Sequence, residues 1–323
     1  MEPNDLRELQ EPMTALKQKF IFLTEEYRPA LWQYCHRLTG SAFDAEDLVQ
    51  DTLLRAFAKL GYLGQALNPK AYLFRMASNL WINQNKKRMP IQIETQMDFA
   101  DEPNEQQEDI TDLMEWLINI LPPKQRVVFL LSSSFDFTNK EIAEIIGTSE
   151  GTIKSYLHRA RRTLAADLKK KEKTGKTTHI AKEPVTNDLV KRYINAFNDL
   201  NATEILSLLD DQATTTITGD WIELGKEQSE KFSLYYWQLD PVEKWLEFGY
   251  VDGIPALFGM RKNADGKVCL REVIRLRHDE EKIYEVQWHF FTIDLIRYVA
   301  KKLGIPAMVE GYQYNEKSVI NVT

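Results

Sequence analysis

Sulfur is scarce in this chain: Cys35 and Cys269 are the only cysteines in 323 residues, and they stand far apart. A disulfide framework is excluded on that ground, a cysteine-based metal site lacks ligands, and a reducing cytoplasm is the expected compartment. No apolar run approaches the roughly 20 residues that a membrane span needs, so no membrane insertion is expected. The opening MEPNDLRELQEP is polar and acidic, the wrong composition for a secretory signal. Internal repeats are missing too, and the only biased stretches have the composition of linkers. No spacing of His, Cys, Asp and Glu suggests a metal site, and no cofactor motif is visible. What is present, 43% hydrophobic and 28% charged residues, is ordinary for a soluble globular protein long enough for two or three domains.

The net charge of −7 argues at first against nucleic acid, but the charge is segregated along the chain. From Lys70 to Pro90 there are five bases (Lys70, Arg75, Lys86, Lys87, Arg88) and no acid. From Ile91 to Pro123 there are nine acids and no base, and from Glu150 to Lys173 eight bases face three acids. Local sign asymmetry of this kind points to partners that the whole-chain value hides.

Helical periodicity runs from Leu16 to about Arg88, in FIFLTEEYRPALWQYCHRL, AEDLVQDTLLRAFAKL and AYLFRMASNLWINQNKKR, with breaks at Gly40-Ser41 and from Gly61 to Pro69. Residues 90–109 are acidic and aperiodic, which predicts a flexible linker. Helices resume near Ile110 and run to about Leu168. Residues 169–184, KKKEKTGKTTHIAKEP, again have linker composition. Beyond Val185 the texture changes to two helical stretches, DLVKRYINAFNDL and ATEILSLLDD. Short segments rich in aromatic and β-branched residues follow: TTTIT, KWLEFGYV, PALFGMR, VCLREVIRLRH and IYEVQWHFFTI. The expected fold class is therefore multidomain: two all-α domains, then an α+β domain on an antiparallel sheet.

The most informative segment is TNKEIAEIIGTSEGTIKSYLHRARRTL, Thr138 to Leu164. Thr138 followed by Glu141 is a capping box, and Gly147 suits a left-handed helix stop. Ser149 is placed to cap a second helix, whose apolar face is Ile153, Leu157, Ala160 and Leu164. Its other face carries Thr152, Lys154, Ser155, His158, Arg159 and Arg162. Two short helices joined by a glycine turn, the second with a polar and cationic outer face, are what a helix-turn-helix needs to reach base edges and phosphates in a major groove. The competing reading is a solvated face on an ordinary helical hairpin.

Together with LPPKQRVVFLL, this segment closely resembles region 4 of extracytoplasmic-function sigma factors. The stretch from Tyr27 to Arg88, in DAEDLVQDTLLRAF and AYLFRMASNLWINQNKKR, resembles region 2 of the same family. The remainder resembles a SnoaL-like (NTF2-like) cone domain, which a subset of these factors carries; VDGIPALFGMRKNADGKVCLREVIRLRHDEEKIYEVQW has the layout of its last strands. Where such fusions often carry an Asn-Pro-Asp-Lys-Leu-like motif, this chain has FTIDLIRYVAKKLG. The implied organisation is region 2 at 16–89, an acidic linker at 90–109, region 4 at 110–168, a basic linker at 169–184, a SnoaL-like regulatory domain at 185–304 and a tail at 305–323.

The resemblance implies that core RNA polymerase docks on an acidic stripe of the helix after Asp44, formed by Asp44, Asp47, Gln50, Asp51 and Leu54. It implies minus-ten promoter DNA against Tyr72, Arg75, Asn79, Lys86, Lys87 and Arg88, with Phe74 and Trp81 as further aromatic surface. For these aromatics core packing is the alternative. The loop YLGQALNP resembles the family's base-capturing loop. The minus-thirty-five element is implied at Lys154, Ser155, His158 and Arg159, with Thr152 and Arg162 on phosphates. In the family, linkers such as 90–109 thread near the polymerase active centre; an inert tether is the alternative.

In the third domain Asp220, Asp252, His289 and Asp294 are candidate general bases, but no spacing singles out a pair. Trp221, Tyr235, Tyr236, Trp237, Trp245, Phe248, Trp288 and Phe290 line a ligand pocket or form a plain core. An anti-sigma factor or a small ligand is the partner this domain leaves room for. Three functions therefore compete: a non-enzymatic, cytoplasmic sigma factor whose fused domain modulates it, a DNA-binding regulator with a ligand-sensing domain, and an enzyme whose chemistry lies in the last domain.

Overall fold

The structure, a computed structural model, describes residues 3–60, 62, 68–85, 120–174, 187–240 and 242–309. They fall into two compact units, Met1–Thr178 and His179–Thr323.

The first unit opens with α1 (Pro3–Thr24), a 3-10 turn (Glu25–Tyr27), α2 (Arg28–Thr39), α3 (Ala42–Leu60) and α4 (Pro69–Asn85). A proline in the first turn starts α2, and Gly40, at φ 75°, ends it. Ser41 then accepts the Asp44 N–H at 3.2 Å and caps α3. The apolar stripes of α2, α3 and α4 meet in a core holding Leu31, Tyr34, Leu38, Phe43, Val49 and Phe74, each fully buried. Cys35 is buried among them, and that burial pushes its thiol well above the usual range. The Tyr34 hydroxyl meets Ser78 Oγ at 2.7 Å, and Ser78 donates to the Phe74 carbonyl at 2.6 Å. Arg28 pairs with the fully buried Glu46 at 2.7 Å.

Three further helices follow among the described residues of this unit: α5 (Pro123–Ser134), α6 (Asn139–Ile146) and α7 (Glu150–Thr174). The capping box forms as the sequence predicts, with the Glu141 carboxylate accepting the Thr138 N–H at 2.8 Å and Thr138 Oγ1 accepting the Glu141 N–H. Gly147, at φ 74°, stops α6. Ile142, Ala143 and Ile145 are buried against Ile153, Leu157, Ala160 and Leu164 of α7. Helix α7 continues to Thr174, into the stretch with linker composition, because its Lys and Glu residues are good helix formers. Residues 175–186 lie outside the described residues, as do 86–119 with the acidic linker.

The two helical blocks share one core. The Phe135 ring, in the turn after α5, packs edge-on against Tyr34 and Phe74, with centroids at 5.3 Å from each. Phe137 lies 5.2 Å from Phe74. Arg126 of α5 is buried and donates to the carbonyls of Leu38 at 3.1 Å and Leu121 at 3.3 Å, with its guanidinium 5.0 Å over the Trp81 ring. Burial lowers its pKa to about 10.

The second unit begins with α8 (Asp188–Asn198) and α9 (Ala202–Leu208). Strands β1 (Leu209–Ile217) and β2 (Ile222–Leu224) follow, then α10 (Lys226–Lys231) and α11 (Ser233–Leu239). Strands β3 (Lys244–Val251), β4 (Ile254–Lys262), β5 (Val268–His278) and β6 (Ile283–His289) come next, and α12 (Ile293–Leu303) is the last helix among the described residues. The six strands form one sheet in the order β2-β1-β6-β5-β4-β3. The α+β class is as expected, but the sheet is mixed: β1 runs parallel to β6, and the other neighbours are antiparallel. Strand patterns carry no direction, so the first and last long strands meeting side by side was invisible in the sequence. Strand β1 also begins at Leu209, inside ATEILSLLDD, and the strand read as IYEVQWHFFTI ends at His289.

Phe74 is the ring that Tyr34, Phe135 and Phe137 all touch, so Phe74→Ala is expected to cost about 3–5 kcal/mol of stability. Urea unfolding of the full chain, followed by tryptophan fluorescence, measures it; a loss under about 1 kcal/mol would show that the cluster is not the joint of this unit.

Candidate functional site

The side chains assigned to the helix-turn-helix stand on the outer face of α7, opposite its buried stripe. Lys154 and Arg162 are exposed, and Thr152, Ser155, His158 and Arg159 are half-exposed. Thr152 is committed locally, since its N–H and hydroxyl both meet Ser149 Oγ, at 3.3 and 2.9 Å. Arg161, exposed beside them, adds a cation that sequence reasoning passed over.

On α4 the candidates separate. Arg75 and Asn79 are exposed one turn apart, and Asn83, not singled out from the sequence, continues the same face. Tyr72 is half-buried and donates to the Ala56 carbonyl at 3.1 Å, which ties it to α3. Phe74 and Trp81 are core residues, at 0% and 5% exposure, so neither presents a ring to solvent. Lys86, Lys87, Arg88 and most of the loop YLGQALNP lie outside the described residues.

On α3, Asp44 and Asp47 are exposed, Gln50 and Asp51 are half-exposed, and Leu54 is 65% exposed. Together they form one stripe along the helix. Gln50 turns back to donate to Glu46 Oε1 at 2.7 Å. Leu54 is the apolar residue of an otherwise acidic face.

In the second unit, none of the four proposed general bases is among the residues lining the cavity described below. Asp252, at φ 50°, and Gly253, at φ 75°, make the tight turn between β3 and β4, where both central residues need positive φ. The Asp252 carboxylate accepts from Tyr298 at 2.7 Å and Lys302 at 2.5 Å. Asp294 sits in the first turn of α12, where an acid suits the helix dipole. Asp220 lies in the turn between β1 and β2. His289 is fully buried; desolvation first, then Arg275, lower its pKa to about 3. A base that weak at neutral pH is a structural imidazole.

The aromatics divide between both readings. Trp237 and Trp288 are buried in the core with Phe197, while Tyr235 is exposed. Trp221, Tyr236, Trp237, Trp288, Phe290 and Phe291 line a cavity of about 160 Å³. Glu272, which is not among the candidates read from the sequence, also lines it, at 1% exposure. The sequence held a signal: Glu272 shares one face of β5 with Ile274 and Leu276, and an acid in line with apolar residues on a strand face is a buried acid.

The first unit is thus a helix-turn-helix joined to a helical bundle that carries an acidic stripe. Residues 23–89 match Sigma-70 region 2, and residues 113–164 match Sigma-70, region 4. The chain is 33% identical over 153 residues to the ECF RNA polymerase sigma factor SigL of Mycobacterium tuberculosis, a match covering 45% of this chain and 86% of that relative. It is 29% identical over 234 residues to SigG of the same organism, covering 63% of this chain and 62% of the relative, less than two thirds of its length. The crystal structure of the extracytoplasmic function sigma factor SigJ, also from M. tuberculosis, aligns with a TM-score of 0.32 at 20% identity, over 83% of this chain and 95% of that one. This chain belongs to the extracytoplasmic-function family of RNA polymerase sigma factors.

The buried His289 predicts a pH dependence. Its folded pKa lies below the unfolded value of about 6.5, so the unfolded chain takes up the proton first. Its contribution is intact above about pH 6.5 and is lost as the pH falls towards 3. Between pH 7 and pH 5 the loss is about 2 kcal/mol. Urea titrations at both pH values, on the native chain and on His289→Leu, measure it; an identical pH slope in the two proteins would refute the assignment.

Proposed function

We propose that this chain binds core RNA polymerase and directs it to promoters, with the outer face of α7 on the minus-thirty-five element and the open face of α4 on the minus-ten element. The carrying observation is the α7 stripe, where exposed Lys154 and Arg162 flank Ser155, His158 and Arg159 on a helix held in place by α6. Side chains of that kind on an anchored helix are suited to base edges and phosphates. Thr152 and the first turn of α7 add a helix N-terminus, favourable for a phosphate. Arg75 and Asn79, followed by Lys86, Lys87 and Arg88, serve the opened strand through hydrogen bonds and charge.

The stripe Asp44, Asp47, Gln50, Asp51 and Leu54 is the surface for polymerase. Its mostly polar character suits a contact that forms and releases in each initiation cycle. The acidic segment 90–109 follows the path of nucleic acid through the enzyme by electrostatic likeness. The second unit, joined through the basic segment 169–184, modulates these contacts. The chain works by binding, in the compartment of the polymerase, and no turnover is assigned to it.

The shared aromatic core adds a step. Elements named for positions minus ten and minus thirty-five lie about 25 base pairs apart, roughly 85 Å at ~3.4 Å per pair. A compact unit of this size has a radius of gyration of about 16 Å. The packing of Phe135 on Tyr34 and Phe74 therefore opens when both elements are engaged, and the sequence between Asn85 and Ile120 is long enough, on the order of 100 Å extended, to span them.

In vitro transcription with purified core polymerase tests the reading. The full chain starts RNA from a promoter that core alone does not use, and Arg159→Ala lowers the yield about tenfold through weaker promoter binding. Leu54→Asp weakens capture by core without changing the melting temperature. Core that neither binds the chain nor initiates with it would overturn the proposal. Phe135→Ala, which loosens the joint, is expected to raise affinity for core by up to about tenfold; unchanged affinity in a folded variant would show that the closed packing does not compete with polymerase.

A further inference from the structure

Two glutamates are buried among the described residues of the second unit, and they differ in how they are paired. Glu223, at 3% exposure, accepts from Trp221 Nε1 at 2.9 Å, from the Ser233 N–H at 3.0 Å and from Ser233 Oγ at 2.7 Å. This is how a structural carboxylate is held. Glu272, at 1% exposure in the middle of β5, has no hydrogen-bond donor on either carboxylate oxygen. Burial pushes its carboxyl above the ordinary range, against the pull of Arg261. An unpaired buried polar group costs about 1–3 kcal/mol, more when charged.

The backbone is shaped around this side chain. Gly259 of β4 faces Glu272 across the ladder, and a Cβ at position 259 would stand 2.2 Å from Glu272 Cγ. The charges nearby are mostly committed: Arg261 donates through Nη1 to Asp240 at 2.6 Å, leaving only its Nε unmet, and Lys244 donates to the Asp240 carbonyl at 2.9 Å. The unmet groups of the cavity are complementary, since the indole N–H groups of Trp237 and Trp288 have no acceptor. Trp288 lies near Glu272 without reaching hydrogen-bond geometry. An apolar cavity of about 150 Å³ accommodates benzene, and this one measures about 160 Å³.

We propose that the cavity bounded by Trp221, Tyr236, Trp288, Phe290 and Phe291 binds a small aromatic molecule of phenol size, whose hydroxyl donates to Glu272 and accepts from the Trp288 indole. The ring takes the apolar space, and one hydroxyl satisfies an orphan acceptor and an orphan donor together. The site stands apart from the transcriptional assignment, because ligand binding is read directly.

The test is calorimetric titration of the full chain with phenol and, separately, with benzene. Phenol is expected to bind one to one, at least tenfold more tightly than benzene. Glu272→Leu, which keeps the volume and removes the acceptor, is expected to abolish that preference and to melt at a higher temperature than the native protein. Trp288→Phe, which keeps a ring and removes the donor, is expected to weaken phenol several-fold and leave benzene unchanged; it carries the test alone should Glu272→Leu fail to fold. No phenol binding, equal binding of phenol and benzene by the native chain, or a phenol preference that survives both substitutions would overturn the proposal.

Discussion

The helical unit depends on a single cluster of rings. Tyr34, Phe74, Phe135 and Phe137 come from both helical blocks and bury one another, and Arg126 closes the seam by donating to carbonyls from each block. Aromatic surface removed from water supplies the attraction, and edge-to-face geometry adds direction. A guanidinium in such a place is tolerable because its two terminal nitrogens donate to carbonyl oxygens and its face meets the Trp81 ring. The same cluster explains why Phe74 is withheld from solvent, although its helix presents Arg75 and Asn79.

Buried polar groups sort the molecule into parts that hold shape and parts that wait. Arg28 with Glu46, and Ser233 and Trp221 with Glu223, are matched donor to acceptor. Lys244, almost fully buried, closes the end of α11 by donating to the carbonyls of Trp237 and Asp240. Beside those pairs, Glu272 stands with both carboxylate oxygens unmet. It lies beside a cavity, next to two unmet indole donors.

Much of the fold was legible in local chemistry. Thr138 and Glu141 announced a helix start, Gly147 its stop, and the spacing of Ile153, Leu157, Ala160 and Leu164 named the buried side of α7. The bounds of β3 and β5 followed from their aromatic and β-branched runs. Long-range pairings stayed hidden, because no single segment encodes its neighbour. Nothing in SSSFDF says that Phe135 meets Phe74, and nothing in TTTIT says that it runs parallel to the last strand. The exposed stripes of α3 and α7 were readable from period alone. Phe74 and Trp81 were ambiguous for the same reason: an apolar ring on a helix reads identically whether it meets a base or a core. Glu272 was not legible as a site residue because an acid within a strand reads as solvent-facing until the fold shows which face is covered.

The position of the sulfur atoms carries a separate consequence. Cys35 is fully enclosed and held in its thiol form, and Cys269 is also buried. Oxidants and electrophiles attack thiolates that solvent can reach. In the folded state Cys35 is therefore inert to peroxide and to alkylating reagents. Oxidative stress has no direct handle on that residue.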